Sequence, residues 1–368
     1  MKWLVAPNAF KGTLSAEEAA DIIEAAILEN RPGDQVDKCP IADGGDGTCL
    51  LLSRQLGLEI VSATACGPLG RPVSGFFGYH APTHTAFLDV STVSGIKWLA
   101  TQEKEPWTAG TYGTGELIQK AIDRGAKEII LGLGGSASID MGTGILQALG
   151  VKFLDKNGRK LPQFSPGFLE RVCHIQIGKK LPEIAFTCLC DVSNPFFGPS
   201  GAIPVFGPQK GLDTAEHQKF SDAAGNLFAL LKKKSKWTLE DQPCFGAAGG
   251  IALGLSAFFP TKMVQGARYF FEKTGLKQRM LDGDMVITGE GKFDFQSAQG
   301  KGSFELMQLA RSVGKPIWLI SAGKEGAQAG FDKLLQLAGL DFRLPDPVEK
   351  ARQNLRLAVS KGVKEMQA

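Results

Sequence analysis

Hydrophobic and polar positions follow two rhythms along this chain. In the first, short apolar runs alternate with stretches that are apolar at every third or fourth residue. Lys2 to Ala6 reads as a buried strand. Ser15 to Glu29 reads as a helix, opened by Ser15 and Glu18 in capping-box spacing and stopped before Arg31-Pro32-Gly33. Val36 to Ile41 is a second strand, and an apolar helix follows through Leu56. Strand, loop and helix in repetition predict a parallel sheet with right-handed crossovers. The rhythm returns later, with strands at Glu128–Leu133, Val151–Leu154, Phe186–Leu189, Asp284–Thr288, Pro316–Ser321 and Leu340–Leu344. Helices are expected over Glu116–Asp123, Ala215–Lys234, Phe304–Val313 and the amphipathic tail from Pro347. The second rhythm fills Ile60 to Trp98. There the runs Ile60–Cys66, Val73–His80 and Thr85–Val90 are separated by turn signals, which predicts antiparallel hairpins and hence a different subdomain.

Composition narrows the class. The 368 residues are 43% hydrophobic and 21% charged, which suits two ordinary globular domains. A net charge of +3 is too small to imply a nucleic-acid or membrane surface as partner. No run approaches the roughly 18 apolar residues of a membrane span, and the first apolar run is too short for a signal peptide. The seven cysteines are scattered, odd in number and without C-x-x-C spacing, which fits a reduced, cytoplasmic compartment. His80 and His84 flank a Pro-Thr turn and read as a surface hairpin rather than a zinc pair.

The chemistry concentrates where glycines follow strands. From Leu131 to Gly150 an apolar run flows into Gly132, Gly134, Gly135, Ser136, Ala137 and Ser138, then Asp140 and a short helix ending at Gly150. Amides in such a turn can face an anion, and a helix N-terminus behind them adds a positive dipole end. Three readings stand at this point. One is a phosphate cradle. A second is a dinucleotide fold, since Gly132, Gly134 and Ala137 satisfy G-x-G-x-x-A and Asp155 could reach a ribose from the next strand. The third is a close-packed turn without ligand. A Walker-type loop is excluded, because no lysine occurs in the stretch. Phe245–Gly254 is either a second backbone-approach site or a closely packed helix, the latter being simpler.

Acids and lysines recur at other inferred strand ends: Asp43, Asp46, Asp191, Glu290 and Asp294, with Lys11, Lys210, Lys292 and Lys301. Phosphoryl transfer needs this inventory of a phosphate cradle, carboxylates for Mg²⁺, a cation for the moving group and a base for the acceptor hydroxyl.

The strings APNAFKGTLSA, IADGGDGT, GPLGRPV, YGTGELI, GLGGSASIDMGTGILQALG, CDVSNPFFG, VFGPQKG, GAAGGIALGL and TGEGKFDFQS occur in this order. Together they resemble the type I glycerate kinase (glycerate 2-kinase) family over nearly the whole chain. The resemblance implies transfer from ATP, with Mg²⁺, to D-glycerate, most often giving 2-phosphoglycerate and in some relatives the 3-phosphate. It implies an α/β fold of two domains, one discontinuous, Rossmann-like and parallel, the other mixed with antiparallel hairpins, and a site in the cleft between them. The corresponding boundaries are 1–60 plus 280–368, and 61–279. A monomer or homodimer is expected.

Carried over onto matching positions, Gly134, Gly135, Ser136 and Ser138 are expected at the nucleotide phosphates. Asp191, Glu290 and Asp294 are expected at Mg²⁺, and Asp191, Asp294 and Lys11 at the reacting groups. Asp43, Asp46 and Arg71 are expected at the substrate. Asn8 and Ala9 replace the family's acid and serine, Ile139 and Met141 depart beside the glycine turn, and Lys292 replaces an arginine. The competing classes are an NAD(P)-dependent oxidoreductase and a non-catalytic sugar-acid binder.

Overall fold

The computed structural model describes residues 1–178, 180–293, 302–342 and 346–366. Among these lie thirteen strands. They are β1 (Lys2–Val5), β2 (Gln35–Lys38), β3 (Glu59–Cys66), β4 (Pro72–His80), β5 (Thr85–Asp89), β6 (Glu128–Gly132), β7 (Val151–Leu154), β8 (His174–Ile177), β9 (Ala185–Cys190), β10 (Thr261–Gln265), β11 (Met285–Gly289), β12 (Ile317–Ser321) and β13 (Lys333–Gln336). The chain divides into two compact units, one formed by Met1–Asp43 with Gln265–Ala368, the other by Gly44–Val264.

The discontinuous unit holds a five-stranded sheet in the order β13-β12-β11-β1-β2, parallel throughout. Strands β1, β11 and β12 are buried almost end to end, as expected for a sheet covered on both faces. The strand order reverses direction between β1 and β11. In such sheets this switch point opens a crevice beyond the carboxyl ends of the strands, because the two flanking loops leave toward opposite faces. The helix Ala16–Asn30 starts as expected. The Glu18 amide donates to Ser15 Oγ at 3.1 Å, and Glu18 Oε2 accepts from the Ser15 amide at 3.0 Å. Its Ile23 and Ile27 share a core with Leu355 and Val359 of the tail helix Pro347–Lys364.

The other unit is built on a six-stranded sheet, β10-β9-β6-β5-β4-β3. The hairpins are real: β3 pairs antiparallel with β4, and β4 with β5. They do not form a separate subdomain. β5 continues in parallel into β6, and β6 into β9, so the hairpins extend the same sheet.

Two further expectations are corrected. Leu340, Asp341 and Phe342 lie in no strand; the edge strand among the described residues is β13, where Leu334 and Leu335 pair with Leu319 and Ile320 of β12. Arg343, Leu344 and Pro345 lie outside the described residues. The strand carrying Asp155's predecessor, β7, pairs with β8 in a two-stranded sheet that does not include β6. The run Phe245–Gly254 is closely packed, as the simpler reading held. A short 3-10 turn leads to the helix Ile251–Ser256, and a methyl on Gly250 would overlap Phe196.

Candidate active site

In the discontinuous unit, the loops at the carboxyl ends of the parallel strands line one cavity of about 430 Å³. The loop after β1 supplies Asn8, Ala9, Phe10, Lys11 and Thr13, and Asp43 ends the segment after β2. Glu290, Gly291 and Lys292 follow β11, Ala322 and Gly323 follow β12, and Leu337, Ala338, Leu340 and Phe342 follow β13. The parallel pairing runs past the strand ends: the Ala6 amide donates to Ile287 O and the Asn8 amide to Gly289 O, each at 2.8 Å. That fixes Asn8 beside Glu290. Asn8 Nδ2 donates to Asp43 Oδ2 at 2.9 Å, so the asparagine orients the Asp43 carboxylate. Asp43 and Glu290 are both buried, while Lys11 and Lys292 are exposed. The sequence thus brings Lys11, Asp43, Glu290 and Lys292 to one crevice. Asp294 and Lys301 lie outside the described residues.

The second unit holds the glycine turn after β6. At its tip Gly135 is exposed and Gly134 half-buried, and among the described residues nothing accepts from their amides. Below the tip the turn is filled. Lys210 is 4% exposed and its Nζ donates to Ser136 Oγ and Ser138 O, both at 2.7 Å. Burial pulls the Lys210 ammonium down to about 7, with the Asp140 carboxylate opposing that shift. Ser138 is fully buried, and its Oγ donates to Asp140 Oδ1 at 3.3 Å beneath the turn. Ser136 is nearly as enclosed.

The helix dipole is also taken. Asp140 Oδ2 accepts from the Gly144 amide at 3.2 Å and from Thr111 Oγ1 at 2.8 Å, and Oδ1 from the Gly142 amide at 3.1 Å. The anion at that helix start is therefore the chain's own carboxylate. The glycines serve close approach as well, since a methyl on Gly134 would overlap the Gly45 and Asp46 backbone.

The remaining residues are placed as follows. Asp46 is half exposed, accepts from Ser91 Oγ, and lies 3.8 Å from Lys97 Nζ. Arg71 is 68% exposed and pairs with Glu103 at 2.6 Å. Asp191 directly follows β9 and is half-buried. Asp155 does not serve a ribose: its Oδ1 accepts from the Asn157 and Arg159 amides at 2.8 and 2.9 Å and closes a hairpin turn.

The far wall of the cavity, with Asn354, Leu340 and Phe342 among its residues, went unread as a site in the sequence. Asn354, buried in the tail helix, donates from Nδ2 to Ala338 O at 3.3 Å. A buried amide on a helix otherwise lined with apolar residues was the available signal. Asp89 was also unnoticed. Buried at the end of β5, it accepts from the Cys49 and Leu50 amides, and burial pushes its carboxyl up to about 7. It caps the helix Thr48–Gln55.

A parallel sheet with charged loops at its switch point in one unit, and a glycine turn after a buried parallel strand in the other, define a phosphotransferase-type α/β protein. Residues 3–367 match the model of the glycerate kinase family, and the chain belongs to that family; it is a kinase. It is 35% identical to glycerate kinase of Bacillus subtilis strain 168, over 96% of this chain and 94% of that one. It is 33% identical to glycerate 2-kinase of Escherichia coli K12, over 99% of each chain. A crystal structure of a candidate glycerate kinase 2 from Salmonella typhimurium LT2 superposes with a TM-score of 0.85 at 32% identity, covering 100% of this chain and 98% of that one. Among the described residues no helix is long and apolar enough to cross a membrane, and no disulfide joins any of the seven cysteines.

Proposed function

We propose that this kinase transfers the γ-phosphoryl group of ATP to the 2-hydroxyl of D-glycerate, giving ADP and 2-phosphoglycerate. The observation that carries this reading is the convergence of Lys11, Lys292, Asp43 and Glu290 on one crevice at the sheet's switch point. Cations there suit phosphate or carboxylate oxygens, and buried carboxylates suit a metal or a hydroxyl.

In the reaction the glycerate O2 forms a bond to the γ-phosphorus while the bond to the β,γ-bridging oxygen breaks. The hydroxyl proton passes to a carboxylate, Asp191 or Asp294. Lys11 neutralises charge on the phosphoryl oxygens. The open amides of Gly134 and Gly135, with Ser136 behind them, receive phosphate oxygens, and Asp43, Asp46 and Arg71 hold the acid substrate.

Mg²⁺ fits the donors present. Among the described residues no group of three acids, histidines or cysteines forms a closed metal cage. Mg²⁺ needs none, since it keeps several waters and takes one or two carboxylates. Glu290 and Asp191, with Asp294, would hold it, and when bound it would neutralise the phosphates. Nothing favours the dinucleotide reading, because Asp155 is spent in a turn.

Phosphorus NMR of the product from D-glycerate, ATP and Mg²⁺ tests the proposal. A 2-phosphate couples to one carbon-bound proton and gives a doublet. A triplet would assign the 3-phosphate instead, and absence of ADP release would dismiss the reading. Stabilisation by ATP with Mg²⁺, but not by NAD(H), is the companion result expected in a thermal-shift assay.

A further inference from the structure

The cavity of the discontinuous unit is the wrong shape for glycerate alone. Glycerate has three carbons and carries a polar group on each. In a space of about 430 Å³ it would leave most of the volume wet. Beyond the charged mouth, the wall is Phe10, Leu337, Leu340, Phe342 and the small Ala338 and Ala351. An apolar wall of that extent is matched by a flat ring system. Phe342 is 60% exposed, although it faces this wall, so its ring is available for stacking. It also stands close to the charged mouth: a methyl on Gly12 would lie 3.6 Å from Phe342 Cε1, and Gly12 follows Lys11.

The polar group at the apolar end is Asn354, only 8% exposed. Its Nδ2 is committed to Ala338 O at 3.3 Å, and Oδ1 has no protein partner among the described residues. Asn354 lines the cavity, so its Oδ1 can accept from a donor on a bound ligand. Adenine offers a 6-amino donor there, whereas guanine offers a 6-oxo acceptor and would be repelled.

Resting on the ATP reading above, we propose that this cavity is the nucleoside subsite: adenine stacks on Phe342, Asn354 Oδ1 accepts from its 6-amino group, and the polyphosphate leaves toward Lys11 and Lys292. Asn354 and Phe342 then determine nucleotide specificity. Neither belongs to the acid substrate's site.

The test is calorimetric titration of ADP and GDP into the full-length wild type, Phe342→Ala and Asn354→Leu, together with KM for D-glycerate. Wild type is expected to bind ADP at least about tenfold more tightly than GDP, because one lost buried hydrogen bond and one opposed acceptor are worth about that factor. Phe342→Ala is expected to weaken ADP about tenfold and to leave KM for glycerate within about twofold. Asn354→Leu is expected to erase the ADP preference. Asn354 is buried and its replacement could unfold the unit, but Phe342 is exposed, so Phe342→Ala keeps the test decisive. Unchanged ADP affinity in Phe342→Ala would overturn the proposal, and so would a raised KM for glycerate alone. If wild type binds ADP with the expected signature yet produces no ADP from ATP and glycerate, the proposed reaction fails and the nucleoside subsite stands. Turnover with nucleotide affinity indifferent to both substitutions gives the reverse.

Discussion

The two units place a glycine-bearing loop after a buried parallel strand and use it differently. After β11, Gly291 has room: a methyl there would sit 3.6 Å from the Lys11 amide nitrogen, an ordinary contact. Around it the loops stay apart and leave a cavity. After β6, Gly134 has none, because the Gly45–Asp46 backbone lies against it, and Lys210 and Asp140 occupy the space beneath. One loop frames a vacancy, and the other is a packed turn with only its tip open. A glycine after a strand therefore states that something comes close. Whether that something is a ligand or the chain's own backbone is decided by neighbours distant in sequence.

The comparison is broken most severely at the acids of the open crevice. Asp43→Asn and Glu290→Gln are nearly isosteric but remove charge, so each should lower kcat by about 10²-fold or more with an unaltered circular dichroism spectrum. A loss below about threefold would show that the crevice is not where chemistry occurs.

Next in size is the packed turn. Gly134→Ala forces a methyl into backbone and should destabilise by about 2–4 kcal/mol, whereas Gly291→Ala should change stability by less than about 1 kcal/mol. Urea denaturation of both variants measures the contrast. Equal effects would erase the distinction between the two loops.

Lys210 sharpens the contrast through pH. The unfolded chain holds this proton up to the ordinary lysine value of 10.5, whereas the folded chain releases it at about 7. Between those values the unfolded state binds more protons, so stability rises with pH. Below about 7 the full penalty of a buried ammonium is present. Lys210→Met should remove this slope, which is at most about 1.4 kcal/mol per pH unit. Denaturation midpoints at two pH values inside the window, for both proteins, give the reading; parallel curves would mean that Lys210 is not titrating there.

The smallest effect is expected at Arg71. Its pair with Glu103 is largely exposed, and such pairs contribute about 0–1 kcal/mol, so Arg71→Ala should barely shift the thermal midpoint. If Arg71 meets the substrate carboxylate, KM for glycerate should rise about tenfold. An unchanged KM removes it from the site.

Much of the fold was legible because it rests on local rules. The capping box at Ser15–Glu18, the apolar periodicity of the helices and the strand–loop–helix alternation are short-range patterns, and the structure shows the elements they predict. The misreadings arose where pairing is long-range. Leu340–Leu344 is as apolar as Lys333–Gln336, yet only the latter pairs with β12. The hairpins looked like a separate body because nothing local says that β5 continues into β6. The candidate site divides the same way. The strand-end positions of Asp43, Glu290, Lys11 and Lys292 could be read directly. The burial of Ser138 and the cavity wall at Phe342 and Asn354 could not.

By itself, then, the order of residues determined which segments become strand or helix, which loops carry charge, and, through a run of motifs in constant order, the family. Those properties depend on neighbours within a turn or two, or on short strings that stay recognisable despite single replacements. Tertiary structure alone decided which glycine turn stays open, which lysine is buried under it and which apolar wall faces a void. Each of those depends on what a distant segment places within a few ångströms, and dense packing leaves room at very few such meetings.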